Sequence, residues 1–215
     1  MIAFDVFKDL GSLTGASLTA AFTCSGNNRL LVVAVEGSLG ADVITGVTYG
    51  GVALTKIESS QQFSYPSRVQ SLWFLKNPAS GSNNVVISAS SSDYIAAIAT
   101  SYTGVKQSGG VDNSGVYLSE STTGVSITFS TNEDNCWTVM LEQNNVGAAT
   151  VGAGTTKRGN QANDLAMELF DSNGPITPAG STSLSVSFSS RKALGIMASF
   201  APAVEAKKDK MFLMF

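Results

Sequence analysis

Apolar residues recur every second position along most of this chain. Leu184, Val186 and Phe188 alternate with Ser183, Ser185 and Ser187. Val125, Ile127 and Phe129 alternate with Ser126, Thr128 and Ser130, and Val85, Ile87 and Ala89 follow the same rule. A period of two is that of an extended strand, whose side chains point to opposite faces in turn. Such segments read as half-buried antiparallel strands, apolar side in and hydroxyl side out. No long amphipathic helix interrupts them.

Three segments are apolar on both faces and read as central strands: 30–35 (LLVVAV), 72–75 (LWFL) and 95–99 (IAAIA). The last has the length of a short helix. Thr100, Tyr102 and the closing Thr103-Gly104 continue an extended pattern and favour a strand. Clusters of Gly, Asn and Ser separate the strands, among them Ser25-Gly26-Asn27-Asn28, Gly50-Gly51, Gly109-Gly110 and Ser172-Asn173-Gly174-Pro175. They supply the positive φ and side-chain-to-backbone bonding of tight turns.

Composition agrees with this class. Of 215 residues, 30 are Ser and 18 are Thr, and only 13% are charged. Histidine is absent, so Ser-His-Asp and Cys-His machinery and His-bearing zinc sites have no material. A net charge of -3 without a basic block argues against nucleic-acid binding. The two cysteines, Cys24 and Cys136, read as buried small hydrophobes, with one bridge between sheets as the alternative. The opening MIAFDVFKDLGSL has neither a basic leader nor a long apolar run, which leads us to expect synthesis in a cytoplasm without a signal peptide. No stretch has the 18 or so apolar residues of a membrane span.

The chain also repeats itself weakly. Ser17 onward lies over the segment around Val125 at an offset of 107, placing Phe22 on Phe129, Asn28 on Asn135, Leu30 on Trp137 and Val32 on Val139. Ser71 onward lies over Ala166 onward at an offset of 95, Val85 over Leu184 at 99, and Ile98 over Ile196 at 98. Strand order and turn chemistry match together. The expected fold is an all-β antiparallel sandwich over residues 1–202, built from two similar halves at about 17–105 and 124–202, with a C-terminal arm at 203–215. Residues 106–113 (KQSGGVDN) form the joint. Two facing sheets of one sandwich and two sandwiches in tandem both satisfy these lengths.

Tyr49, Gly50, Gly51, Leu54 and Thr55, then Trp73, Leu75, Asn77, Pro78 and Gly81, then Tyr102 and Gly104 form a pattern. It resembles one in β-sandwich proteins of phage particles and bacterial surfaces, and covers about residues 45–105. The resemblance implies a jelly-roll-like sandwich in a structural or display role. The second half departs from it, with Gly152-Ala153-Gly154 in place of the Tyr-Gly-Gly hairpin and no Trp on its aromatic strand.

Candidate sites are few. The acids Glu120, Glu133, Asp134, Glu142, Asp164, Glu168 and Asp171 are sparse. Glu142 and Glu168 sit in predicted strands, where a facing pair about 5–9 Å apart would suit glycoside hydrolysis and a solvent-facing sheet is the plainer reading. The oxygen-rich turns 132–135 and 112–114 lack the spacing of a calcium loop and read as Asx turns. Lys157-Arg158, on a polar loop, is placed to meet a phosphate or a partner's carboxylate, or simply solvent. Phe63, Tyr65, Tyr94 and Tyr117 lie near loops and are the candidates for glycan contact, whereas Trp73 and Trp137 read as core. Beyond Pro202 come Lys207-Lys208-Asp209-Lys210 and then Met211, Phe212, Leu213, Met214 and Phe215. Burying such an apolar run is worth roughly 1.5–3 kcal/mol per side chain, which suggests an assembly contact. A tail folded back on its own domain and attachment to a membrane surface are the alternatives.

These features lead us to expect a non-enzymatic structural subunit at the surface of a phage or phage-like virion, without metal or cofactor. Its expected partners are other copies of itself and other structural proteins of the particle. The alternative is a carbohydrate-binding adhesin or receptor-binding module that takes host glycans.

Overall fold

The computed structural model describes residues 1–37, 42–62, 68–144, 148–161 and 167–204. In it the predicted alternation becomes two antiparallel sheets, with no helix among the described residues. The first sheet holds β1 (Ala3–Cys24), β2 (Leu30–Gly37), β3 (Ile44–Tyr49), β4 (Val52–Ala53), β5 (Thr55–Gln62), β6 (Arg68–Lys76) and β7 (Gly81–Thr103). Its order is β4-β3-β7-β2-β6-β5, with β1 along the other edge of β7. The second holds β8 (Asn113–Ser130), β9 (Trp137–Asn144), β10 (Thr150–Val151), β11 (Thr156–Asn160), β12 (Met167–Asp171) and β13 (Ser181–Phe200). Its order is β10-β13-β9-β12-β11, with β8 beside β13.

The two orders are the same topology twice. β8 stands for β1, β9 for β2, β10 for β3, β12 for β6 and β13 for β7. Register confirms the duplication at the residue level. Ala20 pairs with Val85 and Leu18 with Ile87, as Ile127 pairs with Leu184 and Val125 with Val186. These pairs reproduce the offsets of 107 and 99. Asn28 and Asn135, matched by sequence, both take positive φ, 52° and 62°. One offset needs correction. Val32 pairs with Phe74 and its counterpart Val139 with Asp171, so β6 maps onto β12 at 97 rather than 95. The offset of 95 sets Phe74 on Leu169, whereas the ladder puts an aspartate in the phenylalanine's place.

Long strands let each sheet cover itself. The first part of β7 pairs with β3 and the second part with β2. Leu18, Phe22, Val47, Tyr49, Val85 and Ile87 therefore pack onto Leu31, Val33, Val35, Ile95 and Ala97 of the same sheet. A smaller core does the same in the second half, where Val125, Ile127, Leu184 and Val186 meet Met140, Phe170 and Met197. The opposite faces of the inner strands close the largest core. Leu30, Val32, Ala34, Leu72 and Ile98 lie against Val139, Leu141, Leu169, Ile196 and Phe200. β5 packs on β8 as β1 packs on β11, and β6 meets β13 as β7 meets β12, which is a pseudo-twofold arrangement. The molecule is thus four β layers deep, and the two expected layouts merge. Each half is a small sandwich, and the two halves form a larger one.

β1 and β8 begin well before the alternating pattern that announced them. The reason is irregularity. The first half of β1 carries register shifts at Phe4/Val6, Asp9/Gly11 and Gly15/Ser17, and each extra residue flips the face of those that follow. Segment 95–99 is strand, paired on both sides by β1 and β2. Both tryptophans are core, at 6% and 7% exposure. Both cysteines are buried and free, so the bridge alternative falls.

Candidate functional site

Among the described residues six charged ones are buried, Glu36, Arg68, Asp93, Glu142, Glu168 and Asp171, and the outward strand faces of 17–24, 81–90, 121–130 and 181–190 carry none. Lys157 and Arg158 are on β11, not on a solvated loop, and neither is free for a phosphate or a partner. Lys157 forms an ion pair with Glu168. Arg158 donates through Nε to Asp171 Oδ2 at 2.6 Å and through Nη2 to Oδ1 at 2.8 Å. The ladder shifts register between Lys157 and Gly159. Arg158 is the extra residue there; Lys157 shares the face of its partner Phe170 and of Glu168, and Arg158, next along the strand, lies on the opposite face with Asp171.

Asp171 is fully buried at the seam between the halves. It accepts from Tyr102 OH at 3.1 Å, and Arg158 stacks 4.2 Å from the ring centroid of Phe4. Phe4 and Tyr102 belong to the first half, Asp171 and Arg158 to the second. Burial, with the Asp171 charge beside it, pushes the Tyr102 phenol well above its ordinary range. A second polar junction closes the other end of the seam. Gln143 Nε2 donates to Glu36 Oε2 at 2.6 Å, and Arg68 reaches Glu36 Oε1 at 2.9 Å. Gln70, the ladder partner of Glu36, is fully buried with neither side-chain amide atom hydrogen-bonded among the described residues.

Glu142 and Glu168 are indeed brought together, as direct partners on β9 and β12. They do not face solvent or a groove, since neither exceeds 1% exposure. Glu168 Oε2 also accepts from the backbone of Ala149 at 3.1 Å, and Glu142 receives Asn144 Nδ2. Hydrolysis at such a pair needs room for a sugar and a water between the carboxyls. Here the pair ties β9, β11, β12 and the approach to β10 to one another.

The oxygen-rich turns serve as caps. Asp112 accepts from the backbone of Asn132 at 3.0 Å and from Ser199 Oγ at 2.8 Å. Its counterpart Asp5 accepts from the backbone of Ser25 at 3.0 Å and from Ser101 Oγ at 2.7 Å. The same Asp-turn-Ser triangle therefore locks each long strand pair. Asp134 holds Ala179, and Glu133 pairs with Lys106 at 2.6 Å.

No family model, curated protein or solved structure matches this chain. The glycan candidates are divided. Tyr94 is half-buried against the central seam, and Tyr117 is half-buried on the outer core of the second half, its hydroxyl bonded to Thr122 at 3.1 Å. Phe63, Tyr65 and Asp164 lie outside the described residues, as do Met211, Phe212, Leu213, Met214 and Phe215. The Tyr-Gly-Gly hairpin borders an open depression lined by Thr48, Ser82, Asn83 and Asn84. Sequence reasoning missed Glu36, Arg68 and Gln70. The one available signal was Glu36 itself, an acid closing a run of six apolar residues.

The outer layers carry the distinctive surface. Ser126, Thr128, Ser130, Ser181, Ser183 and Ser187 are exposed on one face of the second half. Thr19, Thr23, Ser82 and Ser88 occupy the related face of the first. Residues 17–24, 44–53, 81–90, 121–130 and 181–190 contain no charged side chain at all.

Proposed function

We propose that this chain is a non-enzymatic structural subunit of a phage or phage-like particle, a capsid decoration, fibre or similar surface protein. It packs beside other copies of itself and other structural proteins, and docks partly through Met211, Phe212, Leu213, Met214 and Phe215. The observation that carries this reading is the segregation of charge. The strands of the two outer layers, related by the pseudo-twofold, present hydroxyls and carry no charged side chain of their own, with Lys8 alone reaching in from the edge to Ala21, while buried ion pairs knit the inside. Copies of a chain with net charge -3 repel weakly at best through such faces, so they can lie close together. The resemblance of residues 45–105 to sandwich proteins of phage particles supports the same role.

Sedimentation velocity of the full chain and of a variant lacking 211–215 tests the proposal. Concentration-dependent self-association that is lost on deletion is the expected result. Identical sedimentation of the two proteins at every concentration would remove the docking role of the segment.

A further inference from the structure

Glu142 and Glu168 face each other across the β9–β12 ladder and point to the same side as Met140 and Phe170, the pair two positions along and part of the outer core. Directly opposed partners hold their Cβ atoms about 4.5–5.5 Å apart. Two ionised carboxylates so close, and shielded from water, repel strongly.

The surrounding groups divide unequally between them. Glu168 has the ammonium of Lys157 and the backbone N–H of Ala149. Glu142 has the neutral amide of Asn144, at 3.2 and 3.3 Å. Its ladder neighbour on β13 is Gly195, which offers no side chain. Above Gly195 the outer layer presents Val125 and Ile127. Arg191, further along β13, donates to Ser189 and acts on Glu142 only through its field. Glu168 thus has a cationic partner, and Glu142 only a neutral one.

We propose that Glu142 is a proton latch: protonated, it lets β11 and β12 lie against β9, and its ionisation loosens them. The step is transfer of one proton from the Glu142 carboxyl to solvent, with no bond between heavy atoms made or broken. Burial is the main cause that raises the proton affinity of Glu142. The charge of Glu168 adds to it, while Asn144, Lys157 and Arg191 oppose it. The folded pKa therefore lies above the unfolded one. Between the two values the folded chain binds more protons, so stability falls as pH rises. The latch is closed in mild acid and weakens from the ordinary carboxylate range upward.

Thermal melting and amide hydrogen exchange of the full chain, from about pH 5 to about pH 9, test this against Glu142→Gln. The natural chain should lose melting temperature as pH rises. Its β11 and β12 amides should exchange at least about tenfold faster at the alkaline end than the intrinsic rate change explains. Glu142→Gln should flatten both trends. Carbon-13 spectra of the natural chain, labelled at glutamate carboxyls, read the group without any substitution. One glutamate should titrate well above the others. Titration of every glutamate in the ordinary range, or parallel pH profiles for the two proteins, would overturn the proposal.

Discussion

Tyr102 and Asp171 meet at 3.1 Å across the seam between the two halves, the phenol donating to a carboxylate that Arg158 also holds from the side. The aspartate stands where the first half has Phe74. An apolar seam position has thus been exchanged for a buried ion pair with a reach into the other half. Removing one partner of such a pair leaves an uncompensated buried charge. Asp171→Ala should cost about 3–5 kcal/mol. Tyr102→Phe, which leaves both Arg158 bonds in place, should cost about 1–3 kcal/mol. Urea unfolding measures both, and equal costs for the two variants would contradict the assignment of Arg158 as the principal partner.

Gly159 and Phe7 lock the same seam by shape. A Cβ on Gly159 would lie 2.3 Å from Phe7 Cε1. Gly159→Ala should therefore destabilise by about 1–3 kcal/mol through overpacking. Adding Phe7→Leu should recover part of that loss, a coupling that a double-mutant cycle reads directly.

Gln70 occupies the place that Met167 fills in the second half, since each pairs with the counterpart of the other's neighbour, Glu36 and Gln143. Both its amide atoms are buried, and neither is hydrogen-bonded among the described residues. Gln70→Met should raise stability by about 1–3 kcal/mol by removing that desolvation cost. A lower melting temperature would mean that the amide has a partner that matters.

Burial pushes the Cys24 thiol up to about 11 and the Cys136 thiol up to about 12. Thiolate is the reactive form, so both should resist iodoacetamide at about pH 8 in the folded chain and react within the same time once urea unfolds it. Mass spectrometry of intact protein counts the adducts. Rapid labelling of the folded chain would show that these positions open.

The period-two pattern made the class of fold, the central strands and the duplication legible, because each depends on local alternation. Asn28 and Asn135 could be matched from sequence because a turn that needs positive φ leaves a chemical mark. The buried charges left no such mark. Arg158 reads as a loop residue until β11 pairs with β12 and sets it on the buried face beside Asp171, and pairing is not a property of composition. Glu142 and Glu168 were visible as acids in strands, yet their enclosure depends on the outer layer that folds back over them. Asp5 and Asp112 are separated from their serine partners, Ser101 and Ser199, by most of a half, so no window along the chain contains the triangle.

The pairing of β1 with β7 has a consequence for how the chain comes to be folded. Ala3 has its ladder partner at Thr103. A ribosome must therefore release nearly half the protein before the first strand can find its mate, and the second half repeats the delay between β8 and β13. Such distant pairings make for slow closure. Until it occurs, the open edge of β1 is available to any neighbouring nascent chain, and the register shifts at Phe4, Asp9 and Gly15 make that strand a poor template for the wrong one.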